Sequence, residues 1–278
     1  MSVKLKGENQ IRKFRRVAEE LVSSIVRFDN VVGVVFLGGL ARGFVDKFSD
    51  LDITVFLDRK DEQVGAQIHK IGLNLSKQYN VGVDLEVHLL DEFRKWKLGE
   101  ADKWYFAGAE IVFDPKGEVR KVFEEKLKVS KSFWFKRLVI CSEYIKWYCC
   151  PLKENEDCVA EAWIERDDLV TAHYCLNYAV DLLLKIIFAL NREFLPAPKW
   201  RLFYSYGLKW LPKGYKELVK EALCVKDFSA SEFERRLKAI RTLWRAVAQK
   251  IEQETGLKRE QLSKCYVEKV LNQTFVET

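Results

Sequence analysis

The sequence predicts an α+β protein, with an α/β half over residues 1–115 and an all-helical half over residues 116–278. Three observations carry this. Short, β-branched apolar runs alternate with helix-period stretches only in the first half. Beyond Asp114, apolar residues recur at helical spacing and no run reads as a strand. The turn formers Asp114, Pro115 and Gly117 stand at the change of character.

Ile11, Phe14, Val17, Leu21 and Ile25 share one helical face, which predicts an amphipathic helix over residues 8–28. Residues 31–37 read as a buried strand that ends at Gly38 and Gly39, and residues 51–57 as a second strand. Residues 63–79 are again helical. Residues 81–90 form a third strand, with Val83, Leu85, Val87 and Leu89 on one face and Asp84, Glu86 and His88 on the other.

In the second half, residues 116–150 predict one or two helices, broken at Pro151 and the polar run 153–157. Residues 158–190 predict one long helix, stopped at 195–198. Further helices are expected over 213–223, 231–255 and 259–271, with Ser229 or Ser231 as an N-cap. Trp134, Trp147, Trp163 and Trp244 lie in helical patterns and are assigned to the core.

With 48% hydrophobic residues the chain has enough apolar material for one large or two ordinary cores. A net charge of +6 suits a phosphate-bearing ligand, but the sequence lacks the basic stripe with interleaved aromatics of a nucleic-acid binder. No run approaches the ~18 consecutive apolar residues of a membrane span, and the N-terminus lacks the apolar stretch of a signal peptide. Seven irregularly spaced cysteines form no disulfide framework, so reduced thiols and a cytoplasmic location are expected. Cys141, Cys149, Cys150 and Cys158 crowd together without a Cys-x-x-Cys pair, which argues against a zinc site.

The chemistry concentrates between Val31 and Leu57. A buried strand delivers the chain to Gly38 and Gly39, whose bare backbone lets N–H groups approach phosphate oxygens. The next strand opens with Asp50 and Asp52, which project to one face while Leu51 and Ile53 point inward. Two carboxylates on one face are hard-oxygen ligands for magnesium, and without a cation they repel one another. A third acid on the following strand completes such a site, and Asp84 and Glu86 both qualify by periodicity.

From Gly38 through Arg42 to Ser49-Asp50-Leu51-Asp52, the chain resembles the signature of the polymerase-β-like nucleotidyltransferases, and most of all the aminoglycoside (kanamycin) nucleotidyltransferases. The resemblance implies a mixed sheet flanked by helices, followed by a helical bundle domain. It implies two magnesium ions on Asp50, Asp52 and a third-strand acid, and flanking apolar residues select Glu86 for that part. Glu143-Tyr144 with Lys146-Trp147 is similar to the family segment that supplies a general base, Glu143, and a lysine near the phosphates, Lys146. Leu211-Pro212, Gly214-Tyr215, Leu243-Trp244 and Gly256-Leu257 extend the likeness. Gly38, Gly39, Arg42 and Ser49 would hold the triphosphate, with Lys47 a further cation nearby. Gly39 departs from the family's usual serine.

The implied activity is transfer of a nucleoside monophosphate from a nucleoside triphosphate, ATP by expectation, to a hydroxyl of a small, aminoglycoside-like acceptor. A homodimer is implied too, and neither a membrane nor a nucleic acid is expected as partner. The rival readings are an antitoxin-like nucleotide-binding module without catalysis and an RNA-modifying nucleotidyltransferase.

Overall fold

A computed structural model of the chain describes residues 7–153 and 156–266. The described residues fall into two compact units, divided between Lys128 and Val129.

The first unit runs α1 (Ile11–Ile25), β1 (Val31–Phe36), α2 (Gly38–Arg42), β2 (Asp50–Leu57), α3 (Glu62–Tyr79), β3 (Gly82–Leu89), α4 (Leu90–Lys95), α5 (Glu100–Ala107), β4 (Glu110–Phe113) and α6 (Glu118–Leu127). Its sheet has the order β3-β2-β1-β4. β1 pairs antiparallel with β2 and β4, and β2 pairs parallel with β3, so the sheet is mixed as the resemblance implied. Every residue of β1 is buried, because helices cover both faces of the central strand, and this explains its unbroken apolar run.

On one face Val34, Phe36, Leu51, Ile53 and Val55 pack with Phe14, Val17 and Leu21 of α1 and Ile68 of α3. On the other, Val35 and Phe56 meet Phe93 of α4 and Val119, Val122 and Phe123 of α6. Residues 118–127, expected to open the helical half, are thus part of this unit's core. The close seating of α6 depends on Gly33, where an added Cβ would lie 2.3 Å from Val119 Cγ2.

The second unit is all-helical: α7 (Lys131–Tyr148), α8 (Val159–Glu165), α9 (Leu169–Leu190), α10 (Pro198–Ser205), α11 (Tyr215–Leu223), α12 (Ala230–Thr255) and α13 (Arg259–Tyr266). The single helix expected over 158–190 is two. The chain turns at Asp167, whose φ is 59°, and Asp168 restarts it by accepting the Thr171 N–H at 3.0 Å. Ser229 caps α12 by accepting the Glu232 N–H at 3.3 Å. Residues 267–271 of the last expected helix lie outside the described residues.

By length and composition alone α9 could cross a membrane, but 67% of its most apolar window is buried within the structure, where it forms the core of the bundle. Trp134 and Trp244 are buried as expected, whereas Trp147 is 51% exposed. Cys141, Cys149, Cys150, Cys158 and Cys175 are buried and in no disulfide among the described residues. Burial pushes the Cys150 and Cys158 thiols up to about 12 and about 11, so both stay protonated and unreactive at neutral pH.

The closeness of Gly33 to Val119 gives a direct test of how α6 seats on the sheet. Gly33→Ala is expected to lower unfolding stability by about 1–3 kcal/mol through overpacking, measured by urea denaturation of the full chain, whereas a neutral result would mean that α6 yields freely.

Candidate functional site

The site grows from the junction of β1, α2 and β2. As β1 ends, the Leu37 N–H donates to the Asp52 carbonyl at 2.9 Å, which fixes the start of α2 beside the acidic end of β2. Gly38 then takes φ +52°, and an added Cβ there would sit 1.9 Å from Asp52 Oδ2. Glycine is therefore required twice, for the left-handed backbone and for the space the carboxylate fills.

Strand alternation sets the acids. Leu51 and Ile53 are buried, while Asp50 is exposed and Asp52 half-buried on the opposite face. In the parallel pairing Asp50 lies across from Gly82, and Asp52 across from Asp84. Asp50, Asp52 and Asp84 each offer one ligand oxygen, and these oxygens lie within 4.8 Å of one another. Oxygens bound to one magnesium ion at about 2.0–2.1 Å are at most about 4.2 Å apart. Three oxygens on one octahedral ion include adjacent pairs only about 3 Å apart, so the side chains must close in for the triad to grip a cation. An all-oxygen, anionic donor set of this kind fits magnesium or manganese.

The acid that the structure brings to Asp50 and Asp52 is Asp84, whereas Glu86, the acid the resemblance selected, lies apart from them. Register is the reason: Glu86 lies across from Thr54, one pleat repeat of roughly 6.6 Å beyond the Asp52 level. Glu86 Oε2 instead meets His88 Nε2 at 3.0 Å, and the His88 ring stands edge-on to Trp96 with centroids 4.7 Å apart. Flanking apolar residues do not distinguish the two acids, because Asp84 also lies between apolar neighbours, Val83 and Leu85.

The structure gives the other expected residues mixed parts. The Arg42 guanidinium stacks 3.8 Å from the Trp104 ring centroid and donates to the Trp104 carbonyl at 2.8 Å. Gly108 makes room for it, since a Cβ there would lie 2.3 Å from Arg42 Nη2. Ser49 closes a turn by accepting the Asp46 N–H at 3.0 Å and donating to Asp46 Oδ1 at 3.2 Å. That turn presents Lys47 and the 85% exposed Phe48. At Gly39 a Cβ would fall 2.5 Å from the Phe44 carbonyl oxygen, so the residue answers a close backbone approach as well as lacking the family's hydroxyl.

In the helical unit, Glu143 of α7 is buried at 6% exposure. Its Oε1 pairs with Lys146 Nζ, and its Oε2 accepts from Ser263 Oγ of α13 at 2.6 Å. The two residues expected to be a base and a phosphate ligand are here partners in one buried ion pair, which the i, i+3 spacing on a helix permits.

Sequence reasoning missed Tyr105. Carried by α5, its hydroxyl lies beside Asp52 at the niche of Gly38, where an added Cβ would stand 3.4 Å from Tyr105 Oη, and burial together with the charges of Asp52, Asp84 and Asp50 pushes its pKa well up. Its only sequence signal was its place in the run Trp104-Tyr105-Phe106, which has no clean helical or strand period.

The nucleotidyltransferase-domain family model matches residues 11–111, a span that includes all three aspartates, Gly38, Gly39 and Tyr105. The chain carries a nucleotidyltransferase domain there. No curated protein matches the chain. Among solved structures, a nucleotidyltransferase-like protein from Exiguobacterium sibiricum 255-15 is similar at 9% identity, over 86% of this chain and 77% of that one, with a TM-score of 0.41.

The tight fit at Gly38 predicts a split between stability and metal binding. Gly38→Ala should cost about 1–2 kcal/mol of stability through the left-handed backbone. It should also weaken Mn2+ binding at least roughly tenfold by displacing the Asp52 carboxylate, read by electron paramagnetic resonance of free Mn2+. Unchanged Mn2+ affinity would show that the carboxylate need not occupy that space.

Proposed function

We propose that this nucleotidyltransferase moves a nucleoside monophosphate from a nucleoside triphosphate, ATP in the first instance, to a hydroxyl of a small-molecule acceptor. The convergence of Asp50, Asp52 and Asp84 beside Gly38 and Gly39 carries this reading. The three carboxylates would hold divalent cations, magnesium by preference for hard oxygen donors. When bound, such ions neutralise triphosphate charge and stabilise the attacking and leaving oxygens of an in-line displacement.

The chain's own part is to place and orient. Gly38 yields its side-chain space to the Asp52 carboxylate and so keeps the acids against the start of α2, where backbone N–H groups would meet the triphosphate tail. The acceptor oxygen forms a bond to the α-phosphorus, the bond to the bridging oxygen breaks, and pyrophosphate leaves with that electron pair. The hydroxyl proton passes to solvent or to a nearby base. Glu143 is not given that role, because its carboxylate is buried and committed to Lys146 and Ser263. A homodimer and a cytoplasmic setting, favoured by the resemblance and by the free thiols, belong to the same reading.

The test is pyrophosphate release from each triphosphate across a panel of hydroxyl acceptors that begins with aminoglycosides. Asp50→Ala and Asp84→Ala are expected to lower turnover roughly a thousandfold, about 4 kcal/mol of transition-state stabilisation. Glu86→Gln should lower it less than about tenfold. Wild-type turnover in Asp50→Ala, or a greater loss in Glu86→Gln than in Asp84→Ala, would overturn the assignment.

A further inference from the structure

The face of β3 that carries Asp84 continues past the cation triad. Strand alternation extends it through Glu86 and His88, which lie across from Thr54 and Phe56 of β2. Glu86 is therefore fixed one pleat repeat, roughly 6.6 Å, from the level where Asp52 faces Asp84. At that distance it stands beside whatever is joined to a phosphorus held at the triad.

The packing around Glu86 holds its carboxylate outward. Its side chain is 58% exposed, whereas that of His88 is 21% exposed, so the imidazole is packed and the carboxylate is open. His88 Nε2 meets Glu86 Oε2 at 3.0 Å, and Glu86 Oε1 has no hydrogen-bond partner among the described residues. On the inner side, the hydroxyl of Thr54 is buried and without a hydrogen-bond partner among the described residues. The carboxylate thus turns to His88 on the open side and leaves an inward donor unmet. His88 is fixed in turn by rings: it stands edge-on to Trp96 with centroids 4.7 Å apart and is tilted against Phe56 at 6.5 Å. Trp96 packs edge-on to Phe93 at 5.5 Å, and its carbonyl accepts from Lys126 Nζ at 2.7 Å.

An open carboxylate oxygen recognises hydrogen-bond donors and repels phosphate oxygens. The sugar of a nucleotide meets that requirement. It is neutral, it is joined to the α-phosphorus through a single ester oxygen, and it carries vicinal hydroxyls that each donate a hydrogen bond. We propose that Glu86, oriented by His88, accepts hydrogen bonds from the ribose hydroxyls of the bound triphosphate. The inference rests on the nucleotide-dependent function proposed above and gives Glu86 a part outside the cation ligands. It assigns the site a preference for ribonucleotides over deoxyribonucleotides.

The experiment measures binding of ATP, 2′-deoxy-ATP and 3′-deoxy-ATP to the full chain by isothermal calorimetry, with Mg2+ and without an acceptor. Wild type should bind at least one deoxy analogue about tenfold more weakly than ATP, the loss expected for one hydrogen bond to a charged acceptor. Glu86→Ala should bind all three alike, with a thermal midpoint within about 3 °C of wild type because the side chain is exposed. His88→Phe keeps a ring against Trp96 and removes the donor to Glu86, so it should shrink the ratio of ATP to deoxy-analogue affinity. A purely structural histidine would lower the midpoint and leave that ratio unchanged, which would overturn the part of His88. Equal wild-type affinity for ATP and both analogues overturns the inference while the nucleotidyltransferase reading stands. A gap that survives in Glu86→Ala, or an equal loss for all three nucleotides, does the same. A folded wild type that binds no ATP overturns the proposed function, and this inference with it.

Discussion

The site depends on one electrostatic constraint: three aspartates are brought together on neighbouring strands and must be balanced by positive charge. The parallel register of β2 and β3 creates this constraint by setting Asp52 across from Asp84, with Asp50 one pleat before. A one-residue slip of β3 would move every acid to the opposite face and bury it against α1 and α3. Val83, Leu85 and Val87 pack on that apolar face, so the hydrophobic core locks the register that assembles the charges. Folding energy and functional geometry come from the same alternation.

The scaffold around the acids is built from close approaches that only glycine allows. Gly38 makes way for Asp52, Gly39 for the Phe44 carbonyl, and Gly108 for the Arg42 guanidinium. The stack of Arg42 on Trp104 then ties α5 to α2, and α5 presents Tyr105 to the site. The acidic end of β2, α2 and α5 therefore form a single connected piece. The helical unit holds a separate polar knot in Glu143, Lys146 and Ser263, whose hydrogen bonds join α7 to α13.

Much of this was legible in the sequence. The three main strands, the helices flanking them and the Gly-Gly to Ser-Asp-x-Asp segment follow from period, turn formers and strand alternation. What periodicity does not encode was missed. β4 has only four residues, and α4 and α5 lie in an aromatic stretch without a clean period. α6 reads like the other helices, and only Gly33 in β1 shows why it seats on the sheet. The choice between Asp84 and Glu86 turned on strand register, which links two segments and is invisible in either one alone. Arg42 and Lys146 were read by likeness as phosphate contacts and Glu143 as a general base, while the structure shows each with a partner supplied by residues distant or near in sequence.

The central claim is that Asp50, Asp52 and Asp84 share one cation locus and that Glu86 lies outside it. Its most direct test is anomalous diffraction from crystals grown with Mn2+ and a non-hydrolysable triphosphate analogue. The account predicts Mn2+ density coordinated by oxygens of all three aspartates and by the triphosphate, with the Glu86 carboxylate still turned to His88. Density bound by Glu86 in place of Asp84, or an occupied triphosphate site with no Mn2+ at the triad, would contradict it.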